Sequence, residues 1–120
     1  MPPERLKKNF EFKNIYRNGR TVVSKNIVLY YCPNKTKFNR LGFSISKKTG
    51  NSVTRNRIRR IYREAFKRIE DHLLLGYDFI IIARKPAADV SYNDACEELL
   101  KLCRKKSLVK EHTTNAGENL

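Results

Sequence analysis

The sequence has few of the residues from which a protein builds catalytic or metal sites on its own. Its 120 residues include 2 His, 3 Cys, 12 Asp and Glu together, and no Trp. The two histidines, His72 and His112, are far apart along the chain, so we expect no zinc site made by the protein alone. No nucleophile stands beside a base in a recognisable pattern, and we therefore predict no catalytic residue in this chain.

The cysteines and the apolar segments indicate where such a chain resides. Cys32, Cys96 and Cys103 are odd in number and form no C-x-x-C pair, which favours small packing residues in a reducing compartment. The first residues, MPPERLKKNFEF, lack the apolar core of a signal peptide. The apolar run Phe79–Ala83 is far too short to span a bilayer. We expect a cytoplasmic protein that makes no contact with a membrane.

Acidic residues are scarce relative to basic ones, and this imbalance points to a polyanionic partner. Lys and Arg number 26 against 12 Asp and Glu, which gives a formal net charge of +14. Such an excess costs self-repulsion, whereas contacts with nucleic-acid phosphates release condensed counterions. A membrane surface is a weaker alternative, because no stretch combines a basic face with an exposed apolar face. A basic protein with no polyanionic partner is the remaining alternative.

The chain length and its hydrophobic pattern predict a single nucleic-acid-binding domain over residues 1–109. Within it we expect residues 1–8 to be a loosely ordered basic arm, and residues 110–120 to follow as a flexible tail. The predicted helices are Asn9–Asn18, with Asn9 as N-cap and Gly19 after its end, Ser52–Leu74, and a helix capped by Ser91 that ends near Lys106. The predicted strands are Val22–Cys32, interrupted around Ser24–Asn26, then Leu41–Ser46 and Tyr77–Arg84. With the first strand region split, the order is α-β-β-β-α-β-α, which implies an α/β two-layer sandwich.

The segment Lys47–Arg68 carries the strongest functional signal. Its helical phase places Ile58, Ile61, Tyr62, Ala65 and Ile69 on one face. The opposite face carries Asn56, Arg59, Arg60, Arg63 and Lys67, with Arg55, Arg57 and Arg68 at the borders. An ordinary solvated face would alternate acids and bases for i,i+4 pairing, but Glu64 is the only acid in this segment. Arginine predominates, which suits forked contacts with phosphate and stacking on bases.

Aromatic residues suggest a second surface. Phe12 and Tyr16 are one turn apart on the first helix, and Val28 and Tyr30 share one face of a strand. If the helix lies against that strand face, its rim could stack unpaired bases, at roughly 1–3 kcal/mol each. Plain core packing is the alternative, and the pattern alone favours it.

The arginine-rich segment also resembles a known family. The stretch KKTGNSVTRNRIRR, Lys47–Arg60, resembles the signature of the protein subunit of bacterial ribonuclease P, with Arg55-Asn56-Arg57 inside it. Leu6–Gly19 resembles the first helix of that family, Val28–Tyr30 its first long strand, and Ile80–Pro86 its last strand and following loop. The resemblance implies a sandwich like the second domain of ribosomal protein S5, with a left-handed β-α-β crossover through the arginine-rich helix, against the right-handed norm.

The same resemblance implies a function and a division of labour. It implies the accessory subunit of a ribonucleoprotein endonuclease that removes the 5′ leader of precursor tRNA, with catalysis in the RNA subunit and Mg²⁺ bound mainly by that RNA and the substrate. The implied partners are ribonuclease P RNA and precursor tRNA, with no obligate protein partner. Contacts with the RNA subunit are implied for Arg55, Asn56, Arg57, Arg59, Arg60, Arg63 and Lys67. A cleft for the leader is implied for Phe12, Tyr16, Val28, Tyr30, Lys47 and Lys48, which places this interpretation above core packing. A structural RNA-binding protein of ribosomal type is the alternative function.

Overall fold

The computed structural model describes residues 3–110, which form one five-stranded mixed sheet and three helices. The strands are β1 Glu4–Arg5, β2 Arg20–Val23, β3 Ile27–Pro33, β4 Arg40–Ser44 and β5 Tyr77–Ala83. The helices are α1 Asn9–Asn18, α2 Ser52–Ile69 and α3 Tyr92–Lys105, and 3-10 turns occupy Lys47–Thr49, Glu70–His72 and Lys85–Asp89. Apart from the two-residue β1, the predicted α-β-β-β-α-β-α order is confirmed, including the break between β2 and β3.

The strand order across the sheet is β1-β4-β5-β3-β2. Strand β3 pairs antiparallel with both β2 and β5, while β4 pairs parallel with β5 and with β1. The connection from β4 through α2 to β5 therefore joins adjacent parallel strands, as the family resemblance implied. The left hand of this crossover stays a prediction.

The two faces of the sheet carry separate apolar clusters, because neighbouring residues of a strand point to opposite sides. Leu29 and Ile81 face α2 and α3 in the larger cluster, where the rings of Phe66 and Phe79 lie 5.1 Å apart. The smaller cluster, on the opposite face beneath α1, consists of Leu6, Ile15, Cys32 and Ile80. The sheet with α2 and α3 forms the predicted sandwich, and α1 adds a partial layer on the other side.

The predicted loose arm at residues 1–8 is wrong for the part that the structure describes. Glu4 and Arg5 pair with β4, and the side chain of Leu6 is 4% exposed beneath α1. The basic residues around Leu6 favoured a solvated arm, but the buried Leu6 side chain holds this segment against the sheet. The predicted tail lies outside the described residues from 111 onward, and Lys110 donates its backbone N–H to the His72 carbonyl at 2.8 Å.

Helix ends differ from the predictions in two places, the N-cap of α1 and the end of α2. The N-cap of α1 is Lys8 rather than Asn9, and the Glu11 side chain accepts the backbone N–H groups of Lys7 and Lys8 at 3.2 and 3.0 Å. Gly19 follows the end of α1 as predicted; its φ is −81°, and glycine is needed there for steric reasons, since an added Cβ would lie 2.5 Å from the Ile15 carbonyl oxygen. Helix α2 ends at Ile69, before the predicted Leu74, because the chain tightens into the 3-10 turn that follows.

Candidate RNA-binding surfaces

The outer face of α2 is the cationic surface predicted from the sequence. The helix begins after Asn51, whose side-chain oxygen accepts the Thr54 backbone N–H at 2.9 Å. Its buried residues are Ile58, Tyr62, Ala65, Phe66 and Ile69; Phe66 was missed, and the predicted Ile61 is half-buried. The exposed or half-buried side chains on the opposite side, which we call the α2 ridge, are Asn56, Arg59, Arg60, Arg63 and Lys67. The predicted phase of the helix is confirmed.

The two arginines of the Arg55-Asn56-Arg57 triplet also hold the start of α2 in place. The Arg57 guanidinium donates to the carbonyls of Ala88 and Val90 at 3.0 and 2.9 Å, and Arg55 Nε donates to the Gly50 carbonyl at 3.2 Å. Charge pattern alone did not reveal these contacts with neighbouring loops. The contact of Arg55 and Arg57 with RNA stays a prediction.

Aromatic side chains gather where α1 meets the sheet. The rings of Tyr16 and Tyr30 lie 5.0 Å apart at 79°, and Phe12 lies 6.4 Å from Tyr16. Tyr16 is 40% exposed, whereas Phe12 and Tyr30 are half-buried. These rings therefore border both core and solvent, unlike fully buried core residues.

Strand pairing extends this aromatic surface across the sheet. Val28 pairs with Val23 of β2 and Ile82 of β5, and Ile82 pairs with Ser44 of β4. Val23 is 52% exposed and Ser44 is exposed, so the row is open at both ends. The exposed side chains of Lys47 and Lys48 follow shortly after Ser44 in the chain. We call the set Phe12, Tyr16, Val28, Tyr30, Val23 and Ile82 the aromatic cleft; its last two members were not predicted.

An ion-pair cluster fixes α1 over this cleft. Arg40 donates from Nε and Nη2 to the two oxygens of Asp78 at 2.7 Å each, and from Nη1 to Glu11 at 2.8 Å. The Asp78 residue is 3% exposed, so Arg40 ties the first turn of α1 to the buried strand β5. The backbone N–H of Lys8, then that of Lys7 and the charge of Arg40, hold the pKa of Glu11 below its usual value against the opposing effect of burial.

Removing the charge of Glu11 should make stability less dependent on pH. The folded-state pKa of Glu11 lies below the ordinary 4.5, so its stabilisation is present above that pH and is lost as pH falls through the folded value. We expect Glu11→Gln to lower the free energy of unfolding by about 1–2 kcal/mol at pH 7, with the gap closing toward pH 3. Urea unfolding at both pH values tests this, with Glu97→Gln at an exposed position of α3 as the control. A gap of equal size at both pH values contradicts the assignment.

Comparison with known proteins identifies the family. A family model described as Ribonuclease P matches residues 1–107. The chain belongs to the ribonuclease P protein family. It is similar to the ribonuclease P protein component of Caldanaerobacter subterraneus subsp. tengcongensis, with 43% identity over 107 residues that cover 89% of this chain and 92% of that protein. It is also similar to the component of Clostridium botulinum (strain Loch Maree / Type A3), with 38% identity covering 90% of this chain and 98% of that protein.

Solved structures agree with the family assignment. The chain superposes on the Staphylococcus aureus RNase P protein with a TM-score of 0.79 and 40% identity, covering 88% of this chain and 97% of that one. The RNase P protein of Thermotoga maritima gives a TM-score of 0.78 at 28% identity, covering 85% and 96%. The resemblance seen in the arginine-rich segment and the mixed α/β fold are thereby confirmed.

Membership of the ribonuclease P protein family establishes the general function of the chain. It is the protein component of ribonuclease P, the accessory subunit of an endoribonuclease that processes the 5′ end of tRNA, and its partner is the ribonuclease P RNA. This favours the RNA-enzyme function over the alternative of a ribosomal-type structural protein. Across residues 3–110 no three or more His, Cys, Asp or Glu side chains gather to hold a metal ion, and no helix is long and apolar enough to cross a membrane.

Proposed function

We propose that the α2 ridge binds the ribonuclease P RNA while the aromatic cleft binds the single-stranded 5′ leader of precursor tRNA. Binding of the leader by the cleft is inferred from the position of Tyr16. This side chain is 40% exposed and makes an edge contact with the ring of Tyr30, beside the row of strand residues that contains Val28. Two surfaces on different faces of the sheet allow one small domain to hold both RNAs together.

The ridge is suited to the phosphates of a folded RNA. Lys67 of the ridge forms an ion pair with Glu64 at 3.2 Å. Both side chains are exposed, and such pairs contribute little to stability. Arginine forks donate two parallel hydrogen bonds to a phosphate, and such contacts position a protein without reading sequence.

The cleft is suited to unpaired bases. Aromatic rings bind bases of any sequence through their faces, while Lys47 and Lys48 provide charge for the backbone of the strand. The apolar row beside Val28 supplies a floor on which bases can lie. A paired duplex would not present its base faces to these rings, so the cleft selects single strands.

The proposal also concerns the molecule that binds Mg²⁺. Mg²⁺ prefers oxygen ligands, whereas the two surfaces are lined mainly by arginine, lysine and aromatic side chains. We therefore expect Mg²⁺ to be bound mainly by the RNA subunit and the substrate, with no catalytic residue in the protein. A cytoplasmic location and the lack of an obligate protein partner are parts of the same proposal.

The direct test combines the purified chain with a bacterial ribonuclease P RNA and precursor tRNA at low Mg²⁺. We expect 5′ maturation to rise above the level with RNA alone, and the protein alone to cleave nothing. No rise with a well-folded protein contradicts the proposal. Cleavage by the protein alone, free of RNA contamination, would instead indicate a protein-only nuclease.

Removing two ridge arginines should weaken RNA-subunit binding and flatten its salt dependence. Each arginine that no longer neutralises a phosphate lowers the slope of log affinity against log salt by about one unit, so Arg59→Ala with Arg60→Ala should lower it by about two. The control removes the same charge from α3 with Lys101→Ala and Arg104→Ala, both exposed. Titration of the RNA subunit at several salt concentrations measures the slopes. Equal slopes in both double variants would place the RNA interface elsewhere.

A further inference from the structure

A groove of about 500 Å³ lies at the free edge of the sheet, between β1, β4 and α2. Strand β1 pairs with β4 only at Arg40 and Leu41, so within the described residues no strand covers the edge of β4 from Gly42 to Ser44. The cationic and aromatic side chains that line the groove are Arg5, Phe12, Phe43, Arg59, Arg63 and Lys67. Two of these, Arg5 and Phe43, belong to neither the ridge nor the cleft.

Positive charge exceeds negative charge in this groove, since its lining contains three arginines and Lys67 against one acid, Glu4. Burial, then the charges of Arg5 and Arg59, lower the pKa of Arg63, while Glu64 opposes the shift. Among residues 3–110, none of these three arginines forms an ion pair with a carboxylate. Clustering unpaired cations costs self-repulsion that a bound phosphate would relieve.

The groove also contains an arginine placed over an aromatic ring. The Arg63 guanidinium lies 5.5 Å from the centroid of the half-buried Phe43 ring. An arginine held over an aromatic ring presents a planar, weakly hydrated surface, and unpaired bases stack on such guanidinium planes as well as on rings. The Phe43 ring also packs against the larger core cluster, but the guanidinium above it adds a stacking surface that a phosphate alone does not use, so the pair favours a whole nucleotide.

Phe12 connects the groove to the aromatic cleft. The ring rests against the sheet at Gly42, where an added Cβ would lie 2.6 Å from Phe12 Cζ. On its other side the ring lies 6.4 Å from that of Tyr16. Phe12 is therefore shared by the two surfaces, so a single strand that leaves the cleft at Phe12 arrives at the groove.

We propose that this groove binds one unpaired RNA nucleotide, with its base on the Arg63–Phe43 pair and its phosphates on Arg5 and Arg59. The inference rests on the proposed function only in taking RNA as the ligand. The nucleotide comes either from the leader beyond Phe12 or from an unpaired segment of the RNA subunit. These sources share one chemistry, and separate binding measurements distinguish them.

The variant Phe43→Leu tests the Arg63–Phe43 pair, because it keeps an apolar side chain and every charge but removes the ring. Binding of a single-stranded oligoribonucleotide to the full chain should weaken about 5- to 100-fold, with an unchanged salt slope. Arg5→Gln should weaken it too, but lower the slope by about one unit. Phe38→Leu is the matched control, since Phe38 is 45% exposed in the loop before β4. Urea unfolding of each variant verifies that the fold is retained.

Two further binding measurements, one with precursor tRNA and one with the RNA subunit, identify the source of the nucleotide. If Phe43→Leu binds precursor tRNA with a long leader more weakly but binds the RNA subunit normally, the nucleotide comes from the leader. If Phe43→Leu binds the RNA subunit more weakly in the absence of precursor tRNA, the nucleotide comes from that subunit. Retention of wild-type affinity by folded Phe43→Leu in all three assays overturns the groove proposal and leaves the proposed function standing. Failure of the wild-type chain to bind the RNA subunit or raise maturation contradicts the proposed function, while the oligonucleotide assay still decides on the groove.

Discussion

Replacing Glu98 with alanine is expected to lower the free energy of unfolding by about 3–6 kcal/mol, a large share of the roughly 5–15 kcal/mol typical of a domain. The carboxylate accepts the Tyr62 hydroxyl at 2.6 Å, the Asn26 backbone N–H at 3.2 Å and the Asn26 side-chain amide at 3.3 Å. It also accepts the Ser24 hydroxyl. One side chain of α3 thus joins α2 to the turn between β2 and β3.

The cost is large because the groups left behind cannot all reach water. Tyr62 is fully buried, and an unsatisfied buried donor costs about 1–3 kcal/mol. Burial, together with the Glu98 carboxylate, raises the pKa of Tyr62, so the phenol keeps the proton that it donates. Because α2 carries the ridge, loosening this network should also weaken binding to the RNA subunit.

The neighbouring Glu97 provides a matched control, since it carries the same charge on an exposed part of α3. Glu97→Ala should change the free energy of unfolding by less than about 0.5 kcal/mol. Urea unfolding at pH 7 measures both variants. If Glu98→Ala remained within about 1 kcal/mol of Glu97→Ala, the network would not be a main anchor of α2.

Local periodicity was enough to predict the helices and strands that position the ridge. The 3.6-residue repeat of Ile58, Tyr62 and Ala65 determines which side of α2 is buried, and hence which arginines face outward. The alternation of strand residues likewise separated Val28 and Tyr30 from Leu29. These signals depend on residues close in sequence, so they need no knowledge of tertiary contacts.

Contacts between distant segments were not predictable in the same way. Glu98 has the sequence signature of a surface residue, yet its partners Ser24 and Asn26 lie more than seventy positions away. The pairing register that brings Val23 and Ile82 beside Val28 is also a tertiary property. Arg57 illustrates the limit for the site, because charge pattern does not distinguish an arginine facing a ligand from one bonded to a neighbouring loop.

Removing both tyrosines of the aromatic cleft is expected to weaken binding of leader-bearing precursor tRNA at least roughly thirtyfold, with little change for mature tRNA. Each base that stacks on an aromatic ring contributes about 1–3 kcal/mol, so the loss of two platforms amounts to about 2 kcal/mol or more. The variant is Tyr16→Ala with Tyr30→Ala, tested in the assembled holoenzyme by the dissociation constants of both tRNA species.

The control for this double variant makes the same chemical change away from the cleft. Tyr92, at the start of α3, is 37% exposed, and Tyr92→Ala should leave both dissociation constants close to wild type. Tyr30 packs against the small cluster beneath α1, so the single variant Tyr16→Ala separates stacking from stability. Because Tyr16 is 40% exposed, its removal should lower precursor affinity while urea unfolding changes little. Equal losses for precursor and mature tRNA would mean that the cleft contacts the body of the tRNA rather than its leader.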